Sequence, residues 1–389
     1  MTYVPHGGDV VVTGIGALTS AGVGHEALRR RADAPRGAAA REAEARVPPA
    51  PPGQPEAAPV RLAALAPYDP ADHLPTAKGV RTLSAESRAF AVAAADACRH
   101  AGLPGTWDRD PAVGVAAGTT SAGLEDYAAL FATRLARGVG RVNPAQGPQT
   151  GLNAPASAVS ILTGAAGPNL TVATGRAAAL DALAGAARAI RTGDAGVMLA
   201  GGVQLLGHAE LTARRRAADD AVLVPGEAPV PGEAAVPGEA AVVLVLESGA
   251  AARARGARVL ARLLGAGSAF GPPESGPGER ATRAALAEAG LDGPSPTANG
   301  APANGTQANG LPAPARPVPD ASAVADAFGD CTGAAGAVQA ALAVLGLTPP
   351  ATAPATPPAT ALTLVCATDP DGPAAALVFG TSRDGGTPS

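Results

Sequence analysis

The sequence predicts an α/β protein, because short buried strands alternate with amphipathic helices along most of the chain. The clearest example is the segment 167–202. It contains an apolar strand at 170–174, a tight turn, an amphipathic helix over about 177–192 that ends at a glycine, and a second buried strand at 196–200. This order of elements is a βαβ unit, around which the rest of the chain is arranged.

The remaining elements follow from the same periodicities and from their capping residues. In chain order, they are a strand within 9–24, a helix at 84–102 that begins at Ser84 and ends at Gly102, a strand at 113–117, a helix from 124, a helix at 153–164, a strand at 241–247, a short helix at 249–256, a strand at 258–267, a helix at 280–290, two helices within 320–345, and a hairpin of strands 362–368 and 374–381.

Two halves can be distinguished, at residues 9–249 and 250–384, because each begins and ends with an apolar strand. Three segments interrupt them. Residues 35–59 are rich in Pro, Ala and Glu and predict a loop or a disordered insertion. Residues 293–319 and 348–360 are of low complexity and predict flexible segments.

The composition excludes several classes of function. The net charge of −4, with both signs interspersed, gives no electrostatic footprint for nucleic acid or an anionic membrane. No apolar run approaches the roughly 20 residues that cross a bilayer, and the N-terminus lacks a signal-peptide pattern, so we expect a cytoplasmic protein. Cys98, Cys331 and Cys366 are dispersed and have no metal-ligand spacing, which predicts neither a metal site nor a disulfide framework.

The turn of the βαβ unit carries Arg176. A strand-to-helix elbow is a usual place for a nucleophile, because the helix N-terminus offers unpaired N–H groups and the positive end of the helix dipole. A guanidinium stays protonated and cannot attack a carbonyl. The elbow is therefore either structural or a catalytic position that has been given up.

Seven blocks of the sequence resemble, in the same order, those of the β-ketoacyl synthases, the condensing enzymes of the thiolase fold. They are VVVTGIGALTSAG, AVGVAAGTT, GPNLTVAT, IRTGDAGVMLAGG, PGEAAVVLVLE, ARARGARVLA and GAAGAVQAAL. The resemblance implies a thiolase-like fold, with two related αβ halves in a layered αβαβα core.

The same resemblance implies that the catalytic residues are missing. The family's elbow usually reads T-A-C, whereas residues 174–176 read TGR. Its first histidine belongs to an HGTGT motif, where this chain has the low-complexity residues 293–319, so the second half would be truncated. Its second histidine stands three residues before the GAAG corner, and counting back from Gly333 gives Asp330. No histidine follows His208.

One branch of the family is defined by such losses. The chain-length factor, or ketosynthase β subunit, of type II polyketide synthases usually has glutamine at the elbow, and RAAALDALAGAARAIRTG resembles that branch with Arg176 in its place. The resemblance implies a non-catalytic subunit that heterodimerises with a ketosynthase α subunit. It would set the length of a polyketide or polyene held on the phosphopantetheine arm of an acyl carrier protein, without a metal or cofactor of its own.

Two other functions stay open on the sequence alone. The first is an enzyme that condenses or decarboxylates acyl groups with nonstandard residues, for which Cys331 is the only thiol near the missing histidine. The second is a scaffold that stabilises a ketosynthase without shaping its product.

Two predictions concern individual side chains. A buried, unpaired guanidinium is costly, so we predict that Arg176 points into a polar pocket or a subunit interface and pairs with an acidic group; the alternative is that it only fills the vestigial pocket. Leu124, Tyr127 and Phe131 have helical spacing after the GTT loop. The resemblance implies that they help to close the tunnel of the growing chain against the partner, and the alternative is a plain core stripe.

Overall fold

The computed structural model describes residues 8–35, 37–56, 59–76, 79–222, 236–291, 321–348 and 361–381. The strands in these ranges are β1 (Val10–Thr19), β2 (Gly22–Val23), β3 (Glu44–Arg46), β4 (Val60–Leu62), β5 (Val113–Gly118), β6 (Asn169–Val172), β7 (Val197–Gln204), β8 (Ala240–Ser248), β9 (Ala261–Phe270), β10 (Leu362–Thr368) and β11 (Pro373–Gly380). The helices are α1 (His25–Ala32), α2 (Ala38–Glu42), α3 (Ala85–Ala101), α4 (Leu124–Arg137), α5 (Ala154–Thr163), α6 (Ala178–Thr192), α7 (His208–Val222), α8 (Gly249–Ala254), α9 (Pro277–Glu288), α10 (Ala321–Phe328) and α11 (Ala335–Leu347). Within these ranges no helix is long and apolar enough to span a membrane.

A mixed sheet of nine strands organises the molecule. Its order is β10-β11-β9-β1-β8-β7-β5-β6, with β2 paired to β1, while β3 and β4 form a separate two-stranded sheet. The strand β5 runs parallel to β6 and β7, and the other neighbours in the large sheet are antiparallel. The first half of the chain joins the second through a short pairing of β1 with β9.

The helices form three layers around this sheet. The helices α6 and α11 contact each other and contact strands from both halves, so they lie between the two parts of the sheet. The helices α3 and α5 cover the outer face of the first part, and α9 covers the outer face of the second. The layers thus follow the order αβαβα, and the thiolase-like α/β fold predicted from the sequence is confirmed.

Burial on both faces explains why the central strands read as continuous apolar runs. Along β8, Val242 and Leu244 belong to the core shared with α6 and α11, whereas Val243 and Val245 belong to the core under α3. The α3 helix lies so close to β1 that a Cβ at Gly16 would stand 2.0 Å from the carbonyl oxygen of Ala93. A glycine at that position is therefore required by the packing of α3 on β1.

The second half repeats part of the first. The strand order β9-β11-β10 in the second half matches the order β1-β8-β7 in the first. The helix α9 packs on β9 and β11 in the same way as α3 packs on β1 and β8. In the first half, β5 and β6 extend the sheet beyond β7. Among the residues that the structure describes, no strand extends it beyond β10. The boundary at 249/250 remains a prediction.

The structure differs from the sequence prediction at residues 35–59. The described part of this segment contains α2 and β3, and β3 pairs with β4. Arg61 adds side-chain hydrogen bonds to the carbonyl oxygens of Ala40 and Ala43. Residues 44–46 form a strand because they pair with residues 60–62, and composition does not reveal such a pairing. Residues 293–319 and 349–360 lie outside the described ranges.

Candidate functional site

The elbow lies between β6 and α6. After β6 the chain makes a single 3-10 turn over Gly175–Ala177 and continues directly into the helix. Gly175 has a φ of 59°, in the left-handed region where a side chain is strained. Arg176 therefore stands at the N-terminal end of α6, as the sequence predicted.

The guanidinium of Arg176 forms a two-bond ion pair with Asp330. Its Nη1 donates to Asp330 Oδ1 at 2.8 Å and its Nη2 donates to Oδ2 at 2.7 Å. The Arg176 side chain is 41% exposed and that of Asp330 is 16% exposed. The structure thus brings together the two residues singled out at the nucleophile and second-histidine positions, and Arg176 has the acidic partner that we predicted.

Asp330 is held in place by its own loop and by α7. The N–H of Thr332 donates to Asp330 Oδ1 at 3.0 Å, and Arg214 Nη2 donates to Thr332 Oγ1 at 2.8 Å. The backbone N–H of Asp330 donates to the carbonyl oxygen of Val236 at 2.7 Å. These contacts fix the carboxylate in the orientation that accepts both bonds from Arg176.

The ion pair keeps both groups charged. Burial alone would raise the pKa of Asp330, but the hydrogen bonds and the charge of Arg176 outweigh it and hold this pKa below its ordinary value. Burial would likewise lower the pKa of Arg176, and the bonds to Asp330 raise it instead. Neither group is placed to exchange protons near neutral pH.

A third residue reaches the elbow from the turn between β10 and β11. Asp369 Oδ2 accepts a hydrogen bond from the backbone N–H of Arg176 at 2.8 Å. The N–H of Asp371 donates to Asp369 Oδ1 at 3.0 Å, which orients the carboxylate. Reasoning from the sequence did not single out Asp369. The sequence feature that could have pointed to an extra group at the elbow is the glycine at position 175, where the family's elbow usually has alanine.

The elbow opens on a cavity of about 720 Å³. Arg176, Asp369, Glu274 and Glu279 are among the residues that line it. Because Arg176 is neutralised by Asp330, the remaining side-chain charges around the cavity are acidic.

A second cavity, of about 730 Å³, lies between α3, α4 and the segment after β7. Its wall includes Glu86, which is 4% exposed, and Asp126. Burial, followed by the nearby charges of Asp126 and Glu125, raises the pKa of Glu86 to about 7. None of the residues singled out from the sequence lines this cavity.

Cys331 is not placed as a nucleophile. Its side chain is fully buried, and its Sγ lies 3.5 Å from the carbonyl oxygen of Gly329 and 3.7 Å from that of Phe328. Burial raises the pKa of this thiol far above its ordinary value, so the reactive thiolate is not formed at neutral pH. Cys98 and Cys366 are also buried, and burial raises the pKa of both thiols.

The aromatic stripe lies on α4, but it is not a core stripe. Tyr127 is 54% exposed and Phe131 is 41% exposed, and their rings stack with centroids 6.2 Å apart. Leu124, one turn earlier, is half-buried, and Ala132 is the only fully buried residue of the helix. The core-packing alternative is therefore wrong for Tyr127 and Phe131. What the stripe contacts in an assembly stays a prediction.

More exposed apolar side chains lie between α4 and α5 along the chain. α4 contacts the turns at 139–141 and 144–150, the second turn contacts α5, and α5 contacts β6. We call the exposed large apolar side chains of residues 124–163 the apolar face: Tyr127, Phe131, Leu135, Val139, Leu152 and Ile161. In the described part of the chain β6 pairs only with β5, so β6 is an edge strand, and α5 contacts it.

The described ranges contain no cluster of three or more His, Cys, Asp or Glu side chains that could hold a metal ion.

Comparison with known proteins agrees with this fold. Residues 8–252, more than half of the chain, match the family model of the β-ketoacyl synthase N-terminal domain. The chain belongs to the β-ketoacyl synthase family. The matched range includes the elbow and ends just after β8, so membership of the family rests on the first half.

Relatives of known name match over about half of their length. The chain is 30% identical over 216 residues to 3-oxoacyl-[acyl-carrier-protein] synthase 2 of Vibrio harveyi, covering 52% of each chain. It is 33% identical over 231 residues to the synthase of the same name from Rhizobium meliloti (strain 1021), again covering 52% of each. It is 32% identical over 234 residues to nodulation protein E of Rhizobium sp. (strain N33), covering 55% of each.

Solved structures show the fold over nearly the whole chain. A β-ketoacyl synthase from Burkholderia phymatum STM815 superposes with a TM-score of 0.68 at 24% identity, covering 97% of this chain and all of the other. The ishigamide ketosynthase/chain length factor gives 0.65 at 21% identity, covering 97% and 100%. The type II polyketide synthase assembly AntDE:AntF, an acyl carrier protein in complex with its ketosynthase bound to the hexaketide, gives 0.64 at 18% identity, covering 96% and 99%.

Proposed function

We propose that this family member is a chain-length factor, the non-catalytic subunit of a type II polyketide synthase. It heterodimerises with a ketosynthase α subunit, and the pair extends a polyketide or polyene on the phosphopantetheine arm of an acyl carrier protein. The observation that carries the proposal is the ion pair of Arg176 with Asp330.

The chemistry of condensation explains why this pair matters. Carbon–carbon bond formation on an acyl thioester requires a thiolate nucleophile and neutral hydrogen-bond donors that stabilise the developing oxyanion. A guanidinium cannot attack the thioester, and a carboxylate would repel the oxyanion. The partner ketosynthase would therefore supply the cysteine and both histidines.

The surface of the chain supports a partner on one side. Ile161 of the apolar face lies on α5, which contacts β6, the edge strand in the described part of the chain. Exposed apolar side chains and unpaired strand edges are both common docking surfaces. Tyr127 and Phe131 lie on this face, where a partner could enclose a tunnel against them. Their positions support a role in setting product length.

A catalytic role with nonstandard residues gains no support from the site, because Cys331 is buried and protonated. The two polyketide-related structures share the fold at 21% and 18% identity, so the assignment of the role rests on the elbow and the apolar face. The three unpaired cysteines fit a reducing compartment, and we place the subunit in the cytoplasm.

The experiment reconstitutes the chain with a type II ketosynthase that has an intact T-A-C elbow, and supplies malonyl carrier protein. Heterodimer formation is measured by light scattering and product length by mass spectrometry. We expect a heterodimer, and longer products when Tyr127→Ala or Phe131→Ala removes an aromatic ring. The matched control is Phe270→Ala, which removes an exposed ring on β9, outside the apolar face.

The outcomes separate the alternatives. A stable heterodimer whose product length is the same with every variant would show a scaffold and overturn the length-setting role. Failure to form a heterodimer with any ketosynthase tested, while the chain itself is folded, would overturn the proposal as a whole.

A further inference from the structure

We infer that Asp369 closes the elbow to acyl groups, by occupying a backbone N–H that could otherwise bind an acyl oxygen. The inference concerns this chain alone and holds whether or not a ketosynthase partner binds.

The backbone N–H of Arg176 already has a hydrogen-bond acceptor in Asp369. The N–H of Arg176 is at the N-terminal end of α6, where unpaired N–H groups attract negative charge and can stabilise an oxyanion. In this chain it donates to Asp369 Oδ2 at 2.8 Å. A carboxylate is a stronger acceptor than a thioester carbonyl, so an acyl group does not displace it.

The carboxylate of Asp369 packs closely against Gly175. A Cβ built on Gly175 would stand 2.0 Å from Asp369 Oδ2 and 2.4 Å from its Cγ. The carboxylate therefore occupies the space where the alanine of a T-A-C elbow has its methyl group. Gly175 and Asp369 are complementary, which indicates that the contact belongs to the elbow rather than to a chance side-chain position.

Hydrogen bonds within the turn hold the Asp369 carboxylate in this orientation. Asp369 Oδ1 accepts from the N–H of Asp371, and the backbone of Asp369 closes the hairpin turn, with its N–H donating to Pro373 O at 2.8 Å and its C=O accepting from Gly372 N at 3.0 Å. The turn between β10 and β11 thus presents the carboxylate to the elbow from a fixed frame. Restoring a cysteine at position 176 alone would place its thiol beside this charge.

The test introduces a thiol at the elbow and asks whether Asp369 controls it. The background is Arg176→Cys with Asp330→Asn, which removes the ion pair without leaving its carboxylate charge. The probe is iodoacetamide, and alkylation of the introduced thiol is followed against pH by mass spectrometry. The three native cysteines are buried and serve as unreactive internal references.

We expect adding Asp369→Ala to this background to lower the midpoint of the alkylation profile by about one pH unit, because removing an adjacent negative charge favours the thiolate. The matched control, Asp371→Ala, removes a charge from the same turn that does not touch the elbow, and it should leave the midpoint unchanged. An identical profile with and without Asp369 would overturn the inference.

A second measurement needs no cysteine variant. In the otherwise unmodified chain, Asp369→Ala should speed hydrogen exchange of the Arg176 amide by about tenfold or more, since the N–H loses its acceptor, whereas Asp371→Ala should not. If the Arg176 amide exchanges at the same rate in the unmodified chain and in the Asp369→Ala variant, Asp369 does not occupy it and the inference is wrong.

Discussion

Arg176 and Asp330 are 154 residues apart in sequence, and their side chains meet through two hydrogen bonds of 2.8 and 2.7 Å. By resemblance to the condensing enzymes, these are the positions of the nucleophile and of the second histidine. Each substituted residue thus satisfies the other, and neither is a reactive group. At the elbow the two side chains form a structural ion pair.

The ion pair should contribute measurably to stability. We expect Arg176→Ala to lower the free energy of unfolding by about 1–2 kcal/mol, because Asp330 is left largely buried without its cation. This is less than the loss of about 3–5 kcal/mol typical of fully buried pairs, since solvent screens the half-exposed arginine.

Chemical denaturation of a double-mutant cycle with Asp330→Asn checks this value. The double variant should recover part of the loss, giving a coupling energy of about 1 kcal/mol. The control is Arg188→Ala, an exposed arginine on the same helix, which should change stability by less than about 0.5 kcal/mol. Strict additivity of the two single variants would show that the pair contributes nothing.

Glu86 should make stability depend on pH. Its pKa is raised to about 7 by burial and by the neighbouring carboxylates, whereas an unfolded glutamate has a pKa of about 4.3. Between these values the folded state binds one more proton than the unfolded state, so stability falls as pH rises through this window. The full change is on the order of 3 kcal/mol.

Unfolding free energies measured from pH 4.5 to pH 8 test this effect. Glu86→Gln should flatten the dependence and make the chain more stable than the unmodified chain at pH 8. The exposed Glu44→Gln is the control and should keep the slope. If the unfolding free energy of Glu86→Gln still falls with pH as in the unmodified chain, another group causes the pH dependence.

The exposure of the α4 aromatics predicts small effects on the stability of the isolated chain. Tyr127→Ala and Phe131→Ala should each cost less than about 1 kcal/mol, because about half of each side chain is already in water. Phe90→Ala, which empties a fully buried position on α3, should cost about 3–5 kcal/mol. Thermal or chemical unfolding of the three variants makes the comparison, and equal losses at all three positions would indicate that the stripe is core.

The burial of the thiols predicts that the native chain resists alkylation. Iodoacetamide at neutral pH should modify none of Cys98, Cys331 and Cys366 in the folded protein and all three in denaturant, as counted by mass spectrometry. Rapid labelling of Cys331 alone in the native chain would support a role for Cys331 as a nucleophile.

Local signals in the sequence were enough to place the elements that form the elbow. The N-cap Ser84 and the left-handed Gly102 bound α3 where they were expected, and Gly193 ends α6. Arg176 was found from the βαβ pattern, and Asp330 was found from the resemblance to the β-ketoacyl synthases. Helical spacing predicted α4, but periodicity does not say whether a stripe meets a core, solvent or a partner.

Contacts between distant segments could not be read in this way. The acidic partner of Arg176 was expected, but its identity depends on how the loop before α11 packs against the elbow. Asp369 was missed because its role appears only when the hairpin turn is placed beside Gly175. The helix α7 was also missed, since its Arg-rich sequence has no clear apolar stripe and its position is fixed by contacts such as those of Arg214.

We propose that this chain does no condensing chemistry of its own. The most direct test is the release of CO₂ from malonyl carrier protein, measured with the purified chain alone and with a ketosynthase partner. We expect release at the no-protein rate for the chain alone, turnover for the pair, and no turnover when the partner's elbow cysteine is replaced by alanine. Release by the chain alone above the no-protein rate would show that the proposal is wrong.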